Sequence, residues 1–182
     1  MARTSTVVRV HSAVLELAAE RGPTALTMEG IAARAGVGKQ TLYRSWPGIP
    51  ALLFDALLAT GGEPSAPGTA DDLPGQLEQM LKAAITEISA EPHASLLRAI
   101  SAIIQTDESV ARDYRERLLE PQLAHVHAVL AAGGSLDPPR AAELLLAPIF
   151  YRWFMRLPPL SGPELHRHVH DVLDLIGGTA GG

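Results

Sequence analysis

Residues 27–46 read TMEGIAARAGVGKQTLYRSW. Thr27 is suited to cap a helix, because its hydroxyl accepts one of the backbone N–H groups left orphaned at a helix start. Ile31, Ala32 and Ala35 then recur on one side of a helix over 28–35. Gly36 supplies the left-handed residue that lets a chain reverse just past a helix end. Val37 and Leu42 turn apolar groups back from the reversal and from a second helix over 39–45, and 46–48 (Trp-Pro-Gly) breaks that helix. Two short helices closed at a steep angle by small residues form a helix-turn-helix, whose second helix can lie in the DNA major groove.

The polar residues of that second helix fit this use. Lys39, Gln40, Thr41, Tyr43, Arg44 and Ser45 offer donors, acceptors and a methyl group, with no acid among them. Gln pairs with adenine, Lys or Arg with guanine, and a Thr methyl meets the thymine methyl. Tyr43 and Thr27 suit phosphate oxygens, which set register without reading sequence. The helix start at Thr27 adds free N–H groups that favour an anion.

Working outward, Val7, Val10, Val14, Leu17 and Ala18 predict an amphipathic helix over about 5–21, ended by Gly22-Pro23. A fourth helix is expected over about 50–60, with Pro50 in its first turn. The stretch 61–69, GGEPSAPGT, reads as a loop and a seam. Longer helices follow at about 71–90, 93–105, 108–131, 138–156 and 163–176, with Pro121 bending or splitting the third of these and Pro148 kinking the fourth. The tail GGTAGG is expected to fray. With no strand alternation, the fold class is all-α, of about nine helices. The expected domains are 1–48, which carries the helix-turn-helix, and 49–182, which is helical throughout.

Composition agrees. Hydrophobic residues make up 47% of the 182, enough for a sizeable core, and Ala and Leu, which favour helix, dominate over the 4% that are aromatic. There is no cysteine, so disulfide and thiolate chemistry are excluded. No signal peptide and no apolar run of the ~20 residues a membrane span needs is present, so a soluble, cytoplasmic protein without a membrane partner is expected. The net charge of -5 is unevenly spread. Residues 1–60 hold six basic side chains (Arg3, Arg9, Arg21, Arg34, Lys39, Arg44) and four acidic ones, whereas the remainder is strongly acidic. A polyanion is drawn to the first part and repelled by the second.

The segment LTMEGIAARAGVGKQTLYRSWPGIPALL, 26–53, resembles the tetracycline-repressor (TetR) family of bacterial regulators. The resemblance lies in the Ala-Gly-Val turn, the Thr-Leu-Tyr triplet and the aromatic-Pro pair after it, with AAERG ending the preceding helix. It covers roughly the first third of the chain. Beyond it the helical layout is similar, and APIFYRWFMRLPPL resembles one C-terminal subclass. The resemblance implies three N-terminal helices and a linking fourth, then a ligand-binding and dimerisation domain. It implies a homodimer on a palindromic double-stranded DNA operator, released when a small-molecule effector binds. The chain departs from the family pattern at Gly38, where a capping Ser or similar residue is usual. Gly30 leaves Thr27 without a capping-box partner, and 48–50 (Gly-Ile-Pro) lacks the usual Lys that meets phosphate. Weaker anchoring, or more reliance on Arg3, Arg9 and Arg44, follows.

The expected effector is apolar, since such sites are mostly apolar with a few polar groups. Met80, Ile104, Gln105, Tyr114, Tyr151 and Phe154 are the candidate lining residues. The last two helices are expected to pair the chains. His166 and His170, four apart in HRHVH, could share a metal, but no third ligand stands at suitable spacing on their face. The stretch reads as a polar surface or a seam, and no metal or cofactor is expected. Acidic pairs such as Asp71-Asp72 and Asp107-Glu108 read as helix starts. No nucleophile elbow, phosphate-binding loop or HExxH is present, so no enzyme is expected. A ligand-independent DNA-binding or protein-recruiting factor of the same fold is the alternative.

Overall fold

The computed structural model describes residues 2–61 and 72–177, and side chains over 5–61 and 72–176. Most of the 61–69 seam, the tail beyond 177 and the side chain of Arg3 lie outside these. Among the described residues every regular element is helical. The α-helices are α1 (Ala2–Arg21), α2 (Met28–Ala35), α3 (Lys39–Ser45), α4 (Ile49–Thr60), α5 (Leu73–Ser89), α6 (His93–Ile103), α7 (Glu108–Tyr114), α8 (Glu120–Ala132), α9 (Pro138–Phe154) and α10 (Gly162–Gly177). A π turn over Arg115–Leu119 joins α7 to α8 without a break in helical structure. Counting these two as one, the described residues hold nine helices, all-α as expected.

The chain forms two compact units, Met1–Gly62 with Ala90–Leu118, and Glu63–Ser89 with Leu119–Gly182. In the first, α1 packs on α2 and α4, α2 on α3, and α4 on α6 and α7. Val10 and Val14 of α1, Ile31 of α2, Leu42 of α3, Leu52, Phe54 and Leu57 of α4, and Leu96 and Ile100 of α6 are sealed from solvent. His93 Nδ1–H adds a bond to Thr60 Oγ1 at 3.1 Å, tying α6 to the end of α4. In the second unit α5, α8, α9 and α10 pack around Leu77, Leu81, Leu130, Leu145 and Val169. Trp153 Nε1–H donates to the Ile88 carbonyl at 2.9 Å and pins α9 to the last turn of α5.

The two prolines expected to perturb helices are accommodated in different ways. Pro121 has no N–H to offer the Arg117 carbonyl, and its ring crowds that carbonyl. The ladder widens to a π turn over the residues just before it, a known way for a helix to absorb such a defect. Pro148 stays within α9 and leaves the Leu144 carbonyl without its ladder donor; the neighbouring Leu145 carbonyl accepts His168 Nε2–H at 3.0 Å. The 163–176 helix was expected to begin at its proline, and α10 starts one residue earlier.

Three helix ends close in the same way. After α2, Gly36 N–H reaches the Ala33 carbonyl and Val37 N–H the Ala32 carbonyl. After α8, Gly134 and Ser135 N–H groups reach Ala131 and Leu130, and after α9, Arg156 and Leu157 reach Trp153 and Arg152. Each needs a left-handed residue, with φ of +63° at Gly36, +88° at Gly134 and +57° at Arg156. Arg156 explains why α9 stops at Phe154 and not at 156 as the sequence suggests: a non-glycine there is costly and gives no sequence signal.

Gly36→Ala places a Cβ in open space, so its cost is backbone strain alone, about 1–2 kcal/mol. Thermal melting should show Gly36→Ala lowering stability, Gly36→Asn lowering it less, and Arg156→Gly raising it. A neutral Gly36→Ala would contradict the left-handed turn.

Candidate nucleic-acid interface

Thr27 caps α2 as its residue type suggested. Its Oγ1 accepts from Gly30 N–H at 3.1 Å. Gly30 matters for a reason other than a missing carboxamide partner, since a Cβ there would stand 3.0 Å from that oxygen. Thr27 is exposed beside the first turn, where the Glu29 carboxylate accepts from its own backbone N–H. Gly38 precedes α3 without a side-chain cap, as its lack of a side chain requires.

On α3 the inward residue is Leu42, which is buried. Lys39, Gln40, Tyr43, Arg44 and Ser45 are exposed, and Thr41 is half-buried. Thr41, Arg44 and Ser45 form one wall of a cleft of about 470 Å³ whose other wall is Thr6, Val7 and Val10 of α1. The predicted DNA-facing residues of α3 are therefore brought onto one helix, with its apolar side turned into the unit.

Charge is less free than the sequence count implied. Arg34 forms a two-pronged bond to Glu20, 2.8 Å on each arm, and a further bond to Glu16 at 3.0 Å, locking α2 to α1. The Arg34 guanidinium holds the Glu20 carboxyl below its usual value. Lys39 Nζ lies 3.3 Å from Glu29 of α2, an acid that the residues of α3 alone do not reveal.

Behind α3 stands a carboxylate that sequence reasoning missed. Trp46, which ends α3, donates its indole N–H to Asp55 Oδ2 of α4 at 3.0 Å. His11 of α1 donates Nε2–H to the same oxygen at 3.0 Å. Arg117 of the π turn approaches Oδ1 at 3.6 Å and lies 5.1 Å above the Phe54 ring. The hydrogen bond from His11, then that from Trp46 and the nearby positive charges, hold the Asp55 carboxyl below its ordinary value, although partial burial opposes this. Asp55 thus joins α1, the end of α3, α4 and the π turn. Spacing gives no sign of it, because α1 and the π turn are remote from α4 in sequence.

The candidate effector residues divide between the units. Ile104 and Gln105 lie at the end of α6, half-buried and exposed respectively, and half-buried Tyr114 ends α7 with its ring 6.3 Å from Phe54. Burial raises the Tyr114 hydroxyl above its usual range. Met80, half-buried on α5, belongs to the second unit with Tyr151 and Phe154. Those two aromatics are 60% and 65% exposed, and Met155 beside them is 53% exposed.

In the second unit, α10 faces α5. His166 Nδ1–H donates to Glu78 Oε1 at 2.7 Å, and His170 lies beside it, so a carboxylate from another helix stands where the sequence offered no third ligand. Among the described residues no helix is long and apolar enough to cross a membrane.

Residues 12–56 match the family described as "Bacterial regulatory proteins, tetR family", and residues 67–172 match "Tetracyclin repressor-like, C-terminal domain". The HTH-type transcriptional regulator YdeS of Bacillus subtilis (strain 168) is 29% identical over 173 residues, 90% of this chain and 84% of that one. A TetR transcriptional regulator from Rhodococcus sp. RHA1 has the same fold at a TM-score of 0.65 and 19% identity, covering 100% of both chains. FadR from Bacillus subtilis, in complex with stearoyl-CoA, matches at a TM-score of 0.65 and 16% identity over 93% of this chain and 96% of that one.

Because the folded-state value of Asp55 is lowered, its stabilising contribution is complete above the ordinary carboxylate range and is lost as pH falls through the lowered value. Melting between about pH 5 and pH 3 should therefore fall more steeply in the wild type than in Asp55→Asn. Parallel profiles would remove Asp55 from the acid response.

Proposed function

The chain belongs to the tetracycline-repressor family of transcriptional regulators, and from that premise we propose that it is a repressor that binds a palindromic operator as a homodimer and leaves it when an apolar small molecule binds. The observation that carries the DNA-binding part is the α3 surface. Lys39, Gln40, Tyr43, Arg44 and Ser45 are exposed together on a helix whose Leu42 is buried, with Thr41 at the edge of the cleft. In this reading Gln40, Lys39 and Arg44 face base edges and Thr41 meets a thymine methyl. Tyr43, Ser45 and Thr27 hold phosphates. Residues 1–48 carry the DNA contacts, and 49–182 carry the effector and the pairing surface.

Tyr151 and Phe154 are better suited to pairing than to lining a pocket. Large aromatic groups left open on a helix mark an interaction surface. A homodimer formed through α9 and α10 would cover them and set the spacing of two recognition helices. Of the remaining candidates for effector contact, Ile104, Gln105 and Tyr114 belong to the first unit and Met80 to the second. The acyl-CoA held by FadR makes a long apolar acyl compound the first effector class to try. Release would follow from a higher affinity of the effector for the conformation that does not fit DNA.

Selection of bound sequences from a random DNA pool tests the proposal. A palindrome is expected, and release by an acyl compound would establish the effector class. The absence of any enriched sequence would overturn the DNA-binding reading, as would binding that does not weaken with salt. Gln40→Ala should relax preference at one position of each half-site, by about 1–3 kcal/mol. Tyr43→Ala should weaken binding to all sequences alike. Glu29→Gln should tighten binding, because Lys39 then has no carboxylate competing with the operator.

A further inference from the structure

The HRHVH stretch of α10 holds three imidazoles in different situations. His168 turns to α9, where its Nε2–H meets the Leu145 carbonyl at 3.0 Å. His166 and His170 share the face that meets α5, with ring centroids 4.2 Å apart and 43° between their planes. Glu78 of α5 reaches the same place, and one donor atom from each of the three lies within 4.8 Å of the other two. We propose that Glu78, His166 and His170 form a binding site for a divalent transition metal ion such as zinc(II), bridging α5 and α10.

The donor set fits that ion class. Two imidazoles and a carboxylate suit zinc, copper(II) or nickel, while magnesium and calcium take oxygen ligands in larger number. The outer contacts fit as well. His170 Nδ1 lies 2.9 Å from the His166 carbonyl, which can only accept, so the ring carries its proton there and keeps the Nε2 lone pair for a metal. A backbone carbonyl fixing the tautomer of a ligating histidine is the usual second contact in such sites. Two protonated imidazoles at this separation would repel each other. Two neutral ones beside a carboxylate carry one net negative charge, which a dication offsets.

The scaffold is firm and the entrance is open. Leu77 beside Glu78, and Leu165 and Val169 beside the histidines, are buried, so the backbones of α5 and α10 are held. The side chains of His166 and Glu78 remain 62% and 30% exposed. Metal–ligand bonds of about 2.0–2.2 Å require donors roughly 3.3–3.5 Å apart, so the three side chains draw in by rotation. To ligate through Nδ1, the His166 ring takes its other tautomer, losing the Nδ1 proton to solvent and carrying one on Nε2 instead; alternatively it turns Nε2 inward. Three protein ligands leave a fourth position for water. Residue 78 and residue 166 are far apart in the chain, so a metal bound only in the folded state also stabilises the fold.

The test uses the full chain without any affinity tag, zinc chloride as the probe, and titration calorimetry with thermal melting as readouts. One zinc per chain is expected, with a melting temperature that rises with zinc and does not respond to magnesium. Cobalt(II) should develop the visible absorption of a low-coordinate site. His170→Ala and Glu78→Gln should each weaken zinc binding about tenfold or more while leaving the metal-free fold intact, and His127→Ala, on α8 and outside the trio, should leave zinc binding unchanged. Absence of zinc binding would overturn the proposal and leave the trio as an ion pair. Binding equally strong in His170→Ala and Glu78→Gln would overturn it too, since the zinc would then sit elsewhere.

Discussion

The first unit depends on how one carboxylate is satisfied. Asp55 sits among apolar residues of α4, where an ionised group is tolerated only when enough donors replace the water it loses. The hydrogen bonds come from α1 and from the residue that ends α3, and a guanidinium of the π turn before α8 adds opposite charge. The angle at which α3 leaves the unit is therefore tied to α4 through Trp46, and the position of α4 is tied to the π turn through Arg117. Removing any one donor leaves the others facing a less neutralised charge, so the segments hold their arrangement as a set.

The helix-turn-helix was legible because its determinants are local. Thr27, Gly36 and the apolar positions 31, 32, 35 and 42 each act within a few residues, and the lack of strand alternation, with a composition that favours helix, pointed to an all-α fold. The ends of α9 and α5 were less so. The left-handed residue after α9 is an arginine, and nothing in its type announces the turn. The π turn arises from Pro121, which the sequence marked as a disturbance without saying which of several relaxations the helix would choose.

Partners drawn from remote segments were not legible. The carboxylates that occupy Arg34 and Lys39 lie on neighbouring helices, so a count of basic residues overstated the positive charge free for DNA. Glu78 is remote from His166 in sequence, and the periodicity of α10 by itself could show only two of three ligands. Tyr151 and Phe154 were no easier to place. A large apolar residue has the same sequence signature whether it ends up buried or exposed, and only the packing of α9 shows that these two are exposed.

The two tryptophans of the chain are divided between its units, and each spends its indole N–H on one bond. Trp46 donates to a carboxylate at the end of the recognition helix, and Trp153 to a carbonyl at the end of α5. Indole emission shifts with the polarity of its surroundings, so the chain carries an optical reporter in each unit. The Trp46 signal follows the posture of the DNA-reading helix, and the Trp153 signal follows the seam between α5 and α9. Substituting either with phenylalanine leaves the other to report alone.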